Sequence, residues 1–403
     1  MIIDFAKADY GKEEIDAVNR VLHSDLLASG PENEAFEKEF AHYVGAKYAV
    51  CCNSGSSANL LALSALGLSK DGYVLTSACG FPATLNPILH LGLNPLLVDY
   101  DSHTHNICVS DVLQEMTKVK AIIFAHTLGN PVQMEMILNW AANAGIPVIE
   151  DCCEAVGTKG IGLGDLATWS FYPAHQMTAL GGGGMVTTNN EEYYQRMKSL
   201  RDWGKQYTWD SSRGGNVTQY DSVIGYHSGY TYTSIGWNFK LPEANCAFGR
   251  EQLKKLDGFR KIRMKNWNYL YEGLKDMKEI FIAPISEDAS PFGFCMDVTG
   301  DRNKFGAYLE ANGIKHRPFF AGNILRQPAF RSEDAWRFPT ADYLMEHSLF
   351  IGCHTKLTKE NLDYMLEVIR AFYLHPKLQR EGLSGRVSGE HTSFNTGGTI
   401  TYR

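Results

Sequence analysis

Several signatures are missing from this 403-residue chain, and each absence narrows the field. No apolar run approaches the ~20 residues of a membrane helix. The opening MIIDFAKADYGKEEIDAV has no apolar core of the kind a secretory leader needs. The expectation is a cytoplasmic protein with no membrane partner. Nine cysteines, at positions 51, 52, 79, 108, 152, 153, 246, 295 and 353, are odd in number and contain no C-x-x-C. That pattern excludes a disulfide frame or a zinc ribbon, and no metal site is read from it. Buried, reduced thiols are expected instead. Positive charge is not in excess. A formal net charge of -7 argues against nucleic acid as a partner, while leaving room for an anionic small molecule on local electropositive loops. There is no internal repeat.

What is present has the balance of a soluble globular protein, with 44% apolar and 21% charged residues. Short runs rich in β-branched or aromatic residues recur at 47–52, 73–78, 95–100, 120–126, 147–152, 167–172 and 184–188. Between most of them lie helical patterns, among them SSANLLALSALGL (56–68), PATLNPILHLG (82–92) and PVQMEMILNWAANAG (131–145). Such alternation predicts an α/β fold with a mostly parallel, seven-stranded sheet covered by helices. Ligands of such sheets collect at the carboxyl ends of the strands. Asn53-Ser54-Gly55-Ser56, Cys79-Gly80-Phe81, Asp151 and the turn holding His175 all follow strands, so they are expected to face one crevice.

Beyond residue 190 the texture changes. The stretch from Gln206 to Ser234 is polar and rich in glycine and tyrosine, a long loop of the kind that carries function or lacks order. A helical stretch at 241–274 then leads to a smaller α+β domain. The expected divisions are a large domain over 1–245, a small carboxy-terminal domain over 246–377, and a polar tail over 378–403.

Two motifs carry chemistry. NSGSSANLLAL places Gly55 and Ser56 at a helix start, where free backbone N–H groups and the helix dipole favour an anion. A serine there is also an ordinary cap. The segment lacks the P-loop lysine and the full dinucleotide-binding glycine pattern, which disfavours nucleotide hydrolysis and hydride transfer. PVIEDCCEAVG ends a strand with Glu150-Asp151, a pair that can cap a helix, bind a metal or bond to a protonated ring nitrogen. Beside an anion cradle and an aromatic turn the third use gains weight, because a phosphate and a pyridinium are what pyridoxal phosphate presents.

These segments, with GFPATLNP, HTLGNP, GDLATWSFYPAH, RDWG, GWNFKLPEANCAFG and RPFFAGNILRQPAF, resemble the DegT/StrS sugar aminotransferase family in order from about residue 5 to 373. The resemblance implies the fold-type-I aminotransferase fold. It also implies pyridoxal 5'-phosphate or pyridoxamine 5'-phosphate as cofactor. Where that family carries a lysine that holds the cofactor covalently, this chain has His175. Imidazole is no primary amine, but with an unperturbed pKa of about 6.5 it exchanges protons near neutrality.

The branch with this histidine resembles the nucleotide-sugar 3-dehydratases, and SFYPAH, YTYTSIGWN and AGNILRQP are closest in style to the CDP-4-dehydro-6-deoxyglucose 3-dehydratases. The resemblance implies removal of the C3 hydroxyl of an NDP-4-keto-6-deoxyhexose, CDP- or GDP-linked, in dideoxysugar biosynthesis. His175 and Asp151 would be catalytic, the latter keeping the pyridine nitrogen protonated. Gly55, Ser56 and Ser170 match phosphate ligands, and Phe81 an aromatic stacked on the ring. Asn238 matches a residue that reaches the phosphate from a neighbouring subunit, which implies a homodimer with shared sites. Read without the resemblance, Phe81 is core and Asn238 a polar turn. Arg317 and Arg326 suit substrate phosphates through their planar forks, or an interface equally well.

Two departures matter. Relatives usually read Gly-Glu-Gly-Gly after the turn, whereas this chain reads Leu180-Gly181-Gly182-Gly183-Gly184. The CDP-sugar enzymes also carry an iron–sulfur cluster on one cysteine of the EDCC segment and three of the loop after RDWG. Here KQYTWDSSRGGNVTQ has no cysteine. No iron–sulfur cluster is therefore expected, since four protein ligands are needed. In this respect the chain resembles the GDP-sugar dehydratases, which implies turnover that ends by hydrolysis, with an amino donor such as glutamate restoring the amine form of the cofactor. An aminotransferase and a non-catalytic cofactor-binding homologue are the alternatives.

Overall fold

The computed structural model of the chain describes residues 1–114, 119–206, 209–210, 215–216, 226 and 230–374. Seven strands form the main sheet: β1 (Tyr48–Cys52), β2 (Tyr73–Ser77), β3 (Asn94–Val98), β4 (Val119–Ala125), β5 (Val148–Asp151), β6 (Leu166–Ser170) and β7 (Gly184–Thr188). Their order is β1-β7-β6-β5-β4-β2-β3. β7 runs antiparallel to β6 and β1, and the other neighbouring pairs are parallel. The seven-stranded, mostly parallel sheet expected from the sequence is present.

Its strands read as continuous apolar runs because both faces are covered. Alternate side chains go to opposite layers. Val50, Val74, Ile123, Ile149 and Val186 join one core with Leu61 and Ile88. Cys51, Trp169 and Met185 join another with Phe36, Phe40 and Leu256. A third core packs Ile122, Phe124 and Val148 against Ile137.

The covering helices are α1 (Lys12–Leu22), α2 (Pro31–Val44), α3 (Gly55–Ala65), α4 (Pro82–His90), α5 (Val109–Gln114), α6 (Met134–Ala144) and α7 (Glu191–Arg201). Their ends have local causes. Ser54 caps α3 by accepting from Ser57 N–H, and Gly45 and Gly145 close α2 and α6 in the left-handed conformation. Then α8 (Glu243–Leu274) runs for 32 residues, so one unbroken helix crosses the boundary expected at 245.

A two-residue ribbon, β8 (Trp209–Asp210) with β9 (Gly215–Asn216), precedes it. The smaller sheet is antiparallel, β10 (Ile280–Phe281), β11 (Gly293–Val298), β13 (Ser348–Gly352) and β12 (His316–Pro318) in spatial order. It is packed by α9 (Arg302–Ala311), α10 (Pro339–His347) and α11 (Lys359–Leu374). Phe294, Phe305, Leu309, Ile351 and Ile369 are central to its own core.

The tail expected at 378–403, and most of the cysteine-free loop after RDWG, lie outside the described residues. All nine cysteines are free, and all but Cys108 and Cys153 are buried. Among the described residues no helix is long and apolar enough to cross a membrane.

Candidate active site

A cleft of about 1320 Å³ opens at the carboxyl ends of β1, β2, β4, β5 and β6 and is closed on its far side by the smaller sheet. Of the residues singled out by sequence, Gly55, Ser56, Phe81, Asp151, Ser170, His175 and Arg317 all line it. Asn53, Cys79 and Gly80 do not line it. Asn238 is exposed, bridges to Asp202, and lies outside the cleft. Arg326 is also outside: its Nε and Nη2 grip the two carboxylate oxygens of Asp342.

The cradle is built at the start of α3. Gly55 and Ser56 occupy its first positions, whose N–H groups have no partner within the helix. A Cβ on Gly55 would sit 2.7 Å from Ser170 Cβ and 2.8 Å from Cys153 Sγ, so the loop, β6 and the Asp151 turn converge here.

The glycine run earns its entropy cost at this place. Gly183 has φ +134, and a Cβ on Gly184 would lie 2.3 Å from Ser54 O and 2.9 Å from Gly55 N. β7 can pass beside the cradle only as bare backbone. Gly184→Ala should therefore displace the cradle loop and weaken binding of a phosphate-bearing ligand at least about tenfold, since one or more of its backbone bonds are lost. Equilibrium dialysis against pyridoxamine phosphate would register this, and unchanged affinity would show that the loop relaxes freely.

Strand geometry separates the two acids that end β5. Glu150 is fully buried, accepting from the Gly162 and Gly164 N–H groups and paired with His126 Nε2 at 2.8 Å. Asp151 points the other way, into the cleft. Its Oδ2 accepts from Asn59 Nδ2 and Thr84 Oγ1, each at 2.7 Å, and its Oδ1 from Cys153 N at 3.1 Å. Thr168 Oγ1 fixes Asn59 in turn through its Oδ1, at 2.5 Å. The carboxylate is thus held by donors that lock its plane.

His175 follows β6 in a turn closed by its own N–H donating to Tyr172 O at 2.9 Å. The ring is half-buried and its Nδ1 is buried without a hydrogen-bond partner. Phe292 meets it edge-on, with centroids 5.2 Å apart at 85°. Burial drives the imidazole pKa down to about 4, against a smaller upward pull from the Ser170 backbone and Asp151. The ring is therefore neutral at pH 7 and able to accept a proton. An anion bound in the cradle would favour its charged form and raise that value toward neutrality.

Four contributors were invisible in the sequence reading. Asn59 and Thr84 lie one helical turn from Gly55 and Phe81, a spacing that does signal a shared face. Asp4 to Ala8 form a wall: Ile3 N donates to Gly313 O, Lys315 N donates to Ile3 O, and Asp4 O meets His354 Nε2 at 3.1 Å. Arg317 lies over the Phe5 ring at 5.1 Å.

Glu154 is the fourth. It lines the cleft, and its Oε2 accepts from Leu128 N–H at 2.9 Å. Burial pushes its carboxyl up to about 8, so it is a proton-bearing donor at neutral pH. Its unfolded value is about 4.3, so between there and about 8 the native state alone keeps this proton. The stabilisation is whole below about pH 4.3 and is lost as pH rises through about 8. In melts of the cofactor-free protein, Glu154→Gln should gain Tm relative to wild type from about pH 5 to about pH 8. A constant gap would mean that the carboxyl ionises normally.

The sequence profile of the DegT/DnrJ/EryC1/StrS aminotransferase family matches residues 8–370. The chain is 35% identical over 393 residues to the lipopolysaccharide biosynthesis protein RfbH of Salmonella typhimurium, covering 90% of each. It is 36% identical over 376 residues to the dTDP-4-dehydro-2,6-dideoxy-D-glucose 3-dehydratase of Saccharopolyspora spinosa, covering 86% of this chain and 81% of that protein. The solved GDP-4-keto-6-deoxy-D-mannose-3-dehydratase of E. coli, with bound hydrated PLP, superposes with a TM-score of 0.82 at 27% identity. That match covers 92% of this chain and all of the other.

Proposed function

The chain belongs to the DegT/DnrJ/EryC1/StrS aminotransferase family, and on that premise we propose that it is a nucleotide-sugar 3-dehydratase acting with pyridoxamine phosphate on an NDP-4-keto-6-deoxyhexose. The observation that carries this reading is the imidazole of His175 in the cleft where the family's lysine is expected. The cleft does hold a lysine, Lys315, but it comes from the smaller domain and pairs with Glu310 at 2.5 Å.

The residues present fit the cofactor. The bare backbone at Gly55 and Gly184 leaves the cradle open to a phosphate, Asp151 offers a buried carboxylate to a ring nitrogen, and Phe81, 57% exposed, has a free face for the ring. When bound, the cofactor supplies an amine for the sugar's keto carbon and a ring that accepts electrons.

Each side chain then has a task. Gly55, Ser56 and Ser170 hold the phosphate, which supplies much of the affinity where no covalent tether exists. Asp151 keeps the pyridine nitrogen charged. His175, neutral at rest, takes the proton from the C4′ carbon and delivers it to the departing C3 oxygen. Arg317 offers its fork to the substrate phosphates. Asn238 serves the phosphate of a second copy. Trp203, Tyr230, Tyr232 and Ile235 around it are all exposed, Ile235 at 95%, as a homodimer face would require. Glutamate would serve as the amino donor that keeps the bound cofactor in its amine form.

The deciding experiment incubates the protein with pyridoxamine phosphate, glutamate and CDP-, GDP- or dTDP-linked 4-keto-6-deoxyhexoses, with products followed by mass spectrometry. Loss of the C3 hydroxyl is the expected result. An amino sugar as sole product would make the protein an aminotransferase, and tight cofactor binding without turnover would make it a non-catalytic homologue.

A further inference from the structure

Behind the His175 turn, α8 buries a cation. Arg263 is 3% exposed, and its guanidinium donates to three backbone carbonyl oxygens and faces the buried Cys353 thiol, with no carboxylate bonded to it among the described residues. Nη2 donates to His175 O at 3.2 Å. Nη1 donates to Pro291 O at 3.2 Å and Phe292 O at 3.3 Å, while Nε has no partner. A buried cation without a bonded carboxylate is costly to desolvate, and a neutral side chain of similar shape would avoid that cost.

The three carbonyls belong to two separate pieces of chain. One is at the end of the turn after β6, and the others lead into β11 of the smaller sheet. Phe292, on the second piece, is the ring that stands edge-on to the imidazole. A single planar fork therefore sets both the histidine's turn and the wall it leans on.

We propose that Arg263 is a positioning residue for proton transfer, clamping the His175 turn to the Pro291–Phe292 segment so that the imidazole keeps one orientation toward the cleft. The proposal rests on the role given to His175 above. It concerns a residue that touches neither cofactor nor sugar. The cation also acts through space. Groups facing His175 are Asp151, Cys153 and Glu154 from the end of β5, Tyr172 from its own turn, and Arg263 from α8. Asp151 favours imidazolium and Arg263 opposes it, so the clamp also helps hold the ring uncharged. Facing Arg263 itself are the Cys353 side chain and, with a weaker effect, Asp9, which is paired with Lys356 at 2.6 Å.

Two variants separate the clamp from the charge. Arg263→Gln removes both, and Arg263→Lys keeps the charge but can no longer span the three carbonyls. One readout is acylation of His175 by diethyl pyrocarbonate in the cofactor-free protein, followed against pH by mass spectrometry of the peptide that carries it. The other is kcat against KM for the sugar. Wild-type His175 should titrate near 4. In Arg263→Gln the midpoint should rise, and kcat should fall about 10- to 100-fold with KM nearly unchanged, the signature of a misplaced proton carrier. Arg263→Lys should keep the low midpoint and lose the rate.

If Arg263→Gln folds and binds cofactor normally, yet leaves both kcat and the midpoint where they were, the clamp is refuted. Should that variant not fold, Phe292→Leu decides through the same titration. Removal of the edge should raise the midpoint, and an unmoved midpoint overturns the proposal. The acylation arm needs no substrate, so a wild-type protein without dehydratase activity would sink the functional reading alone.

Discussion

Turnover by His175→Gln should fall about 10²–10⁴-fold, the range lost when a positioned general acid–base group is removed. Glutamine approximates the length of the ring and can still hydrogen-bond, but it cannot carry a proton near neutrality. Because the phosphate is assigned to Gly55, Ser56 and Ser170 and not to His175, pyridoxamine phosphate should bind the variant nearly as tightly as wild type. The check is a pair of measurements, single-turnover formation of the 3-deoxy sugar and cofactor affinity by absorbance titration. If both fall together, His175 is a binding residue.

His175→Lys is the informative counterpart. It restores a primary amine five residues after Ser170. In the presence of pyridoxal phosphate it should yield a covalent bond that borohydride makes permanent. A variant that stays unlabelled at saturating cofactor would remove His175 from the site.

Asp151→Asn should cost about 10²–10³-fold in rate, the scale of losing one preorganised electrostatic partner. The geometry makes the substitution worse than isosteric. Donors already occupy both carboxylate oxygens, Asn59 and Thr84 on one and Cys153 N–H on the other. Whichever way an asparagine amide turns, its NH₂ faces a donor, and a buried polar group is left unsatisfied. Cofactor affinity should fall with the rate, which distinguishes this variant from His175→Gln. Normal kcat in Asp151→Asn would show that the ring nitrogen needs no charged partner.

The sheet was legible in the sequence because its strands are covered on both faces and so read as unbroken apolar runs. Helix limits were less so. The pattern at 131–145 suggests a start at Pro131, yet α6 begins at Met134, since the Val132 N–H is tied to His126 Nδ1 at 3.0 Å. α1 and α2 have no counterpart in the reading, although Pro31 and Gly45 mark the ends of α2.

Within the site, the residues that follow strands were legible, because chemistry at strand ends has a positional rule behind it. Phe292 and Arg263 were not. A phenylalanine before an apolar strand reads as core, and an arginine in a charged helix reads as surface. Only the fold brings them from about a hundred residues away to the back of one imidazole. Arg326 shows the converse, an arginine with suitable neighbours in sequence whose carboxylate partner, Asp342, is supplied by α10.

The wall formed by Asp4 to Ala8 bears on when the site comes into being. It is pinned by Gly313, Lys315 and His354, so one side of the chamber joins segments up to 350 residues apart in sequence. A ribosome that has delivered the whole seven-stranded sheet has still made no enclosed chamber, because the surface that seats this wall emerges later. Contacts of such sequence span are also the slowest to close. Loading with the vitamin-derived group is accordingly a task for a chain already extended past His354, not for a shorter nascent one.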